Sequence, residues 1–279
     1  MTPERHGLGD LADLVTDERA MTVADVNALP LDVREAIYAR LVPPELLARF
    51  AASSLLRHDA AGACITRVTA PPDASWARVE FRAATDDRDP VLLIDVGMSP
   101  FGVPELSLVQ VNDPEAPRYA IDQDEDGQDT LLGTAFRNHA EELRALKDGL
   151  APGQVRRGLR MLGRVLDSVD DFCRLLGREC YLVEPLFYHS AILYERRGCG
   201  YLLGREIMEE IHAGFEPGGP LARRLDDSTS FRRREFAATA RGRSWAIHDG
   251  ILGAAWSGVK MYRVPGVPAG VSTFPGATY

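Results

Sequence analysis

Cysteine is scarce in this chain of 279 residues. It has four cysteines, Cys64, Cys173, Cys180 and Cys199, and no two of them form a C-x-x-C pair. A chain of this length buries about three quarters of its unfolded surface when it folds, so it needs no disulfides for stability. Its first residues also lack the basic and apolar segments of a secretory signal. We therefore expect a reducing, cytoplasmic environment.

Long apolar runs and an excess of positive charge are also missing. Stretches such as Val91–Ile94 are far shorter than the roughly 18 residues that cross a bilayer, so we expect no membrane partner. The chain carries 32 Lys and Arg against 41 Asp and Glu, which gives a net charge of -9. Because nucleic acid binds to a basic surface, this balance also argues against a nucleic-acid partner.

The first 72 residues have the apolar spacing of amphipathic helices. Val33, Ile37 and Leu41 recur every four residues after a Leu-Pro-Leu-Asp start signal. A second short apolar pattern follows a pair of prolines. We predict a helical N-terminal segment over residues 1–72.

The apolar period changes to two after the linker that contains Pro71 and Pro72. Residues 76–83 alternate between polar and apolar side chains, which predicts a half-buried strand. Val91–Val96 and Leu106–Val111 predict two more strands, separated by turn signals. Three consecutive strands of this kind are typical of an antiparallel meander.

Helices then alternate with short strands. The longest predicted helix covers Gly153–Leu176, where apolar residues recur at spacings of three and four. Predicted strands at Tyr181–Val183 and Tyr201–Leu203 alternate with helices that begin at Pro185 and Arg205.

These patterns together predict a mixed α/β (α+β) fold with a largely antiparallel central sheet flanked by helices. We divide the chain into the helical segment of residues 1–72, an α/β domain of residues 73–264 and an extended C-terminal tail of residues 265–279. The tail is rich in Gly, Pro and small residues.

Two segments give the chain a resemblance to a known family. Gln154-Val-Arg-Arg-Gly-Leu-Arg160 opens the long predicted helix, and Leu193-Tyr-Glu-Arg-Arg-Gly-Cys199 ends the next one. With the order of strands and helices, these segments resemble the GNAT fold of acyl-CoA acyltransferases, whose second signature is Leu-Tyr-Glu-Lys-x-Gly-Phe. The chain departs from the family pattern at Val155, Arg160 and Cys199.

The resemblance implies an acyltransferase whose cofactor is acetyl-CoA or another acyl-CoA and whose acceptor is a small molecule or an amine. In that family, the turn that opens the long helix offers backbone N–H groups to the CoA pyrophosphate. The matching residues here are Arg156, Arg157, Gly158 and Leu159. Tyr194 matches the tyrosine that protonates the departing thiolate.

An amine acceptor must lose a proton during acyl transfer. Glu184 and His189 carry side chains that accept protons, and both stand shortly before Tyr194. We expect one of them to act as the base.

Other interpretations of the same residues stay open. Glu184, His189, Glu209 and His212 could bind a metal or perform acid/base chemistry in an enzyme that does not use CoA. The arginines near residue 156 could instead lie on a solvated helix face and pair with downstream aspartates. A binding module without enzymatic activity is a third possibility.

The segment Arg241–Gly250 combines two arginines, a tryptophan and a His-Asp pair. Neighbouring residues on a helix point about 100° apart, so His248 and Asp249 cannot bond to each other there. The segment is either a site for anion or proton chemistry or a structural element in which Trp245 anchors the core.

Overall fold

The computed structural model describes residues 20–50 and 64–279, and these contain nine α-helices and seven strands. The helices are α1 (Val23–Asn27), α2 (Leu31–Ala39), α3 (Pro44–Arg49), α4 (His139–Lys147), α5 (Leu162–Leu175), α6 (Tyr188–Glu195), α7 (Arg205–Phe215), α8 (Pro220–Arg224) and α9 (Ala240–His248). The strands are β1 (Thr66–Thr69), β2 (Trp76–Phe81), β3 (Leu92–Met98), β4 (Pro104–Val111), β5 (Tyr181–Val183), β6 (Gly200–Leu203) and β7 (Lys260–Arg263). Within the described ranges, no helix is both long and apolar enough to cross a membrane.

The strands form a seven-stranded, mostly antiparallel sheet in the order β1-β2-β3-β4-β5-β7-β6. Both β1 and β3 pair antiparallel with β2, and β6 pairs antiparallel with β7. The predicted fold class, a mixed α/β fold with helices around a largely antiparallel sheet, is confirmed.

Helices occupy the described part of the N-terminal segment, as predicted. Proline begins both predicted helices, since Pro30 precedes α2 and Pro44 is the first residue of α3. The exception is β1, which lies where we expected helix because Thr66 and its neighbours pair with β2. The predictions for residues 1–19 and 51–63 lie outside the described residues.

Contacts divide the chain into two compact units, each built from segments that are distant in sequence. The first unit contains the described residues up to Val109, Met161–Leu182 and Val264–Gly266. The second contains Gln110–Arg160, Val183–Arg263 and Val267–Tyr279.

The core of the first unit is built from the patterns that the sequence displays. On β2 the alternate residues Ala77, Val79 and Phe81 are buried, as the period of two predicts. Helix α5 buries an apolar face that includes Val165 and Phe172.

The predicted start of the long helix at Gly153 is wrong, because α5 begins only at Leu162. The carbonyl of Val155 accepts from Tyr119 N at 2.9 Å, and the carbonyl of Arg157 accepts from Asp113 N at 2.8 Å. Arg160 then adopts a left-handed backbone with a φ of 60°. These carbonyls bond outside any helix and the left-handed residue ends the segment, so the helix starts after it.

Trp245 anchors the core of the second unit. Its indole is fully buried, and Nε1 donates to the carbonyl of Leu150 at 2.8 Å. The structural interpretation of Trp245 is therefore confirmed. A smaller apolar cluster in the same unit consists of Tyr119, Ile121, Ala145, Leu150 and Val155.

Candidate functional site

The residues predicted to bind the CoA pyrophosphate lie in an irregular loop before α5. Arg156 donates to the carbonyls of Pro114 and Ala116, and Arg157 is exposed with a 3.4 Å contact to the carbonyl of Asp148. The expectation that Arg156, Arg157, Gly158 and Leu159 open a helix is wrong, for the backbone reasons given above.

The loop around Gly158 lies against other backbone. A Cβ atom at Gly158 would come within 2.9 Å of the carbonyl oxygen of Val111. Glycine therefore allows a close approach of two chain segments at this position.

The first turn of α5 begins a few residues later. Val165 N makes the first helical hydrogen bond, to Met161 O at 3.0 Å, and no side chain caps the helix at Met161. The preceding amides of Leu162, Gly163 and Arg164 are the ones that an α-helix leaves without intrahelical partners. A helix start of this kind favours anions through its N–H groups and its dipole.

Glu184 directly follows β5 and forms an ion pair. Its Oε2 lies 3.0 Å from Lys260 Nζ, and its side chain is 44% exposed. The carboxylate is accessible to a substrate, but Lys260 already occupies one of its oxygens.

His189 is buried near the start of α6 and contacts Ser244. Its Nδ1 lies 2.9 Å from Ser244 Oγ, and its ring stacks on Phe187 with centroids 5.7 Å apart. Burial, with a smaller contribution from His248, lowers the pKa of His189 to about 3. The imidazole is therefore uncharged at neutral pH.

Tyr194 is also buried, on the last turn of α6. Burial raises the pKa of its phenol well above the ordinary value, and Cys199 adds to this shift. The phenol therefore keeps its proton at neutral pH, which a proton donor requires.

The carboxylate next to Tyr194 holds the C-terminal segment. Glu195 accepts from Tyr201 Oη at 2.6 Å and from the backbone N–H and the hydroxyl of Thr273. Further along this segment, the carbonyl of Thr278 accepts from Ala240 N at 2.9 Å. The glutamate of the segment that resembles Leu-Tyr-Glu-Lys therefore has a structural role.

The four residues considered for a metal site have other partners. Glu209 pairs with Arg205 at 2.8 Å, and His212 Nδ1 lies 3.0 Å from Arg243 Nη1. Among the residues that the structure describes, no group of three or more His, Cys, Asp or Glu side chains is placed to hold a metal ion. Glu184, His189, Glu209 and His212 therefore do not converge on a metal centre.

The structure brings together a charged cluster that sequence reasoning missed. His248 Nε2 lies 2.7 Å from Oε1 of the buried Glu142, and Arg137 Nη2 lies 2.6 Å from the other carboxylate oxygen. Although burial alone raises the pKa of Glu142, hydrogen bonds from His248 and Arg137 hold it below the usual range. Glu142 is 106 residues from His248 in sequence, so no local motif indicates this pair.

Asp249, beside His248, turns to different partners, as the helical geometry predicts. Its carboxylate lies 3.1 Å from Arg137 and 2.8 Å from Arg232, and it accepts from the hydroxyl of Thr229 at 3.2 Å. The arginine that binds Glu142 is thereby held from two sides.

A turn with unusual backbone lies against this cluster. Leu131, Leu132 and Gly133 have φ angles of 52°, 60° and 82°. A Cβ atom at Gly133 would lie 3.0 Å from Glu142 Oε1 and 3.5 Å from His248 Nε2. Left-handed backbone at residues with side chains is unfavourable and concentrates at functional sites.

Comparison of the chain with protein-family models, with curated proteins and with solved structures finds no match.

Proposed function

We propose that the protein transfers an acyl group from acetyl-CoA or another acyl-CoA to an amine or a similar nucleophile on a small molecule. The observation that carries the proposal is the order of elements. Neighbouring strands β3, β4 and β5 are followed by α6, which ends in the signature around Tyr194, and α5 stands between β4 and β5 in sequence. This is the order that the resemblance to the GNAT acyltransferases predicts.

The donor site is proposed at the first turn of α5. The amides of Leu162, Gly163 and Arg164 replace the residues that the sequence suggested, because the helix begins here and not at Gly153. An uncapped helix start suits the negative charge of a pyrophosphate.

Tyr194 is proposed as the group that protonates the CoA thiolate when the thioester C–S bond breaks. Tyr194 stands at the matched position of the signature and its phenol carries a proton at neutral pH, and these two points support the role. The two predicted bases are less favoured, since the ion pair with Lys260 holds Glu184 and the low pKa of His189 makes its imidazole a weak base.

The first test is the binding of acetyl-CoA to the full chain, measured by titration calorimetry and by the shift of Tm. A ligand at about 100 times its Kd stabilises the folded state by about 2.7 kcal/mol, so a clear rise of Tm is expected. If millimolar acetyl-CoA produces neither heat nor a shift of Tm, the transferase proposal is wrong and a binding role for another ligand gains support.

The second test replaces the proposed proton donor. Tyr194→Phe should bind acetyl-CoA as the parent protein does but transfer the acyl group about 100-fold or more slowly, because general acid catalysis contributes roughly 10²–10⁴ in rate. The matched control is Tyr262→Phe on β7. Equal transfer rates for the two variants would exclude Tyr194 as the donor.

A further inference from the structure

The pair of Glu142 and His248 has no part in the donor site proposed above, yet its geometry is that of a proton acceptor. A carboxylate only accepts hydrogen bonds, so Nε2 of His248 carries the hydrogen that it donates to Glu142 Oε1. In the uncharged tautomer with this hydrogen, the lone pair of the ring lies on Nδ1. In the part of the chain that the structure describes, Nδ1 of His248 makes no hydrogen bond.

The carboxylate that faces His248 is itself fixed. Arg137 binds the second oxygen of Glu142, and Asp249 binds Arg137 from the other side. A carboxylate held in this way orients an imidazole, selects its tautomer and stabilises the imidazolium ion after a proton has been accepted.

Among the residues that the structure describes, aromatic rings and the imidazole of His189 also surround His248. Phe187 contacts its ring edge to face at a centroid distance of 5.7 Å, Trp245 lies at 5.9 Å, and His248 contributes to the lowered pKa of the nearby His189. In the described ranges, Glu142 on α4 faces His248 and Arg137 lies behind that carboxylate. The His248 side chain is 9% exposed, so a substrate must reach it past the residues that border it.

The turn of residues 130–136 borders His248. Gly133 packs against Glu142 and His248, while Leu131 and Phe136 on either side of it are 59% and 67% exposed. Large apolar side chains are thus presented to solvent by a strained turn that touches the charged pair.

We propose that His248, positioned by Glu142, is the general base for the acyl acceptor, and that the 130–136 turn binds an apolar part of that acceptor. The inference rests on the proposed acyl transfer and names its acceptor class as an amine with an apolar group. The amine nitrogen bonds to the thioester carbonyl carbon and gives its proton to His248 Nδ1. The C–S bond breaks, the thiolate takes a proton from Tyr194, and solvent restores both side chains.

The test compares acetyl transfer to 2-phenylethylamine with transfer to ethanolamine, using the full chain. His248→Gln retains a hydrogen-bond donor for Glu142 but cannot accept the proton, so kcat should fall about 100-fold or more while the Kd of acetyl-CoA stays unchanged. The matched control is His139→Gln, at an exposed histidine on α4. His248→Ala should regain activity when imidazole is added, which a purely structural role would not produce.

The apolar part of the inference has its own readout. Phe136→Ser should raise KM for 2-phenylethylamine several-fold and leave KM for ethanolamine unchanged, because only the first acceptor has a ring to contact the turn. Equal KM changes for both amines would overturn apolar recognition.

The possible outcomes distinguish a failure of this inference from a failure of the proposed acyl transfer. A parent protein that does not bind acetyl-CoA overturns the acyl-transfer proposal and this inference with it. A parent that binds and turns over acetyl-CoA, with His248→Gln equally active, overturns only the assignment of His248. Loss of acetyl-CoA binding in His248→Gln also overturns it, because the pair would then be structural.

Discussion

At the scale of single residues, burial and local contacts decide which candidate groups are charged. Burial raises the pKa of Tyr194 and lowers that of His189, and both shifts leave the side chain neutral. Glu142 is just as buried but stays ionised, because His248 and Arg137 donate hydrogen bonds to it. Residue type alone therefore does not reveal the protonation state on which the chemistry depends.

Asn27 is a buried polar residue whose contribution to stability can be measured. Its Nδ2 donates to the carbonyls of Ala74 and Trp76 at 2.8 and 2.9 Å, and its Oδ1 accepts from the hydroxyl of Tyr38. Replacement by alanine leaves the buried Tyr38 hydroxyl and two part-buried carbonyls without this partner, and an unpaired group costs about 1–3 kcal/mol when fully buried and less where water reaches it. We expect Asn27→Ala to lower the free energy of unfolding in urea by about 2–4 kcal/mol.

The variant Asn27→Asp keeps the acceptor for Tyr38 but places a buried carboxylate oxygen against the carbonyls of Ala74 and Trp76 in place of the donors. It should lower the free energy of unfolding at least as much as the alanine variant does. A change below about 0.5 kcal/mol in Asn27→Ala would mean that water or another group replaces the amide.

At the scale of elements, the apolar repeat that predicts the long helix begins several residues before α5 does. Val155 belongs to the repeat that predicted a helix from Gly153, but it packs into the small cluster with Tyr119 and lies outside α5. An extended segment can bury the same side chain when its backbone finds partners elsewhere. This places the uncapped helix start at Leu162, where the proposed donor site lies.

Charge reversal in the first turn of α5 tests that placement. Arg164 is exposed and pairs with Glu45 at 3.1 Å and with Asp167 at 3.5 Å. A glutamate there suits the helix dipole, and surface pairs contribute little, so Arg164→Glu should change stability by less than about 1 kcal/mol. It should nevertheless weaken acetyl-CoA binding about 10-fold or more, measured by calorimetry, because a negative charge then faces the pyrophosphate.

The control is Arg174→Glu, in the last turn of the same helix, where Arg174 pairs with Asp171. This variant makes the same change of net charge at the other helix end and should bind acetyl-CoA normally. Equal weakening by both variants would indicate a general charge effect and argue against the site at Leu162.

At the scale of the whole molecule, the buried His189 links folding to proton binding. In the unfolded chain its pKa is near the ordinary value of about 6.5, whereas in the folded chain it is about 3. The unfolded state therefore binds the proton more readily. Above about pH 6.5 His189 is neutral in both states and does not reduce the free energy of unfolding. As the pH falls from there towards 3, only the unfolded chain takes up the proton, so the free energy of unfolding decreases.

We expect the free energy of unfolding to decrease by about 1.4 kcal/mol per pH unit across this window on account of His189 alone. Urea unfolding of the parent protein and of His189→Gln, measured between pH 7 and pH 4, isolates this contribution as a difference of slopes. Parallel pH dependences for the two proteins would show that His189 is accessible to protons in the folded state.

The sequence by itself determined the elements whose signals are local. Period-two alternation indicates β2, apolar spacing and proline starts indicate α2 and α3, and the stripe of the long helix is correct from Leu162 onward. Each of these features depends only on which side of a single segment is buried. The spacing of apolar residues within that segment is therefore enough to predict it. The mixed α/β class follows from their order.

Only the tertiary structure decided where the chemistry converges. Glu142 meets His248, and Ser244 meets His189, across long separations in sequence, and the start of α5 depends on hydrogen bonds between residues 155–157 and a loop about 40 residues earlier. The strand at Thr66 likewise depends on its partner β2, not on its own spacing. Pairings of this kind are set by how the whole chain packs, because the free energy of each contact depends on a partner that the local sequence does not contain.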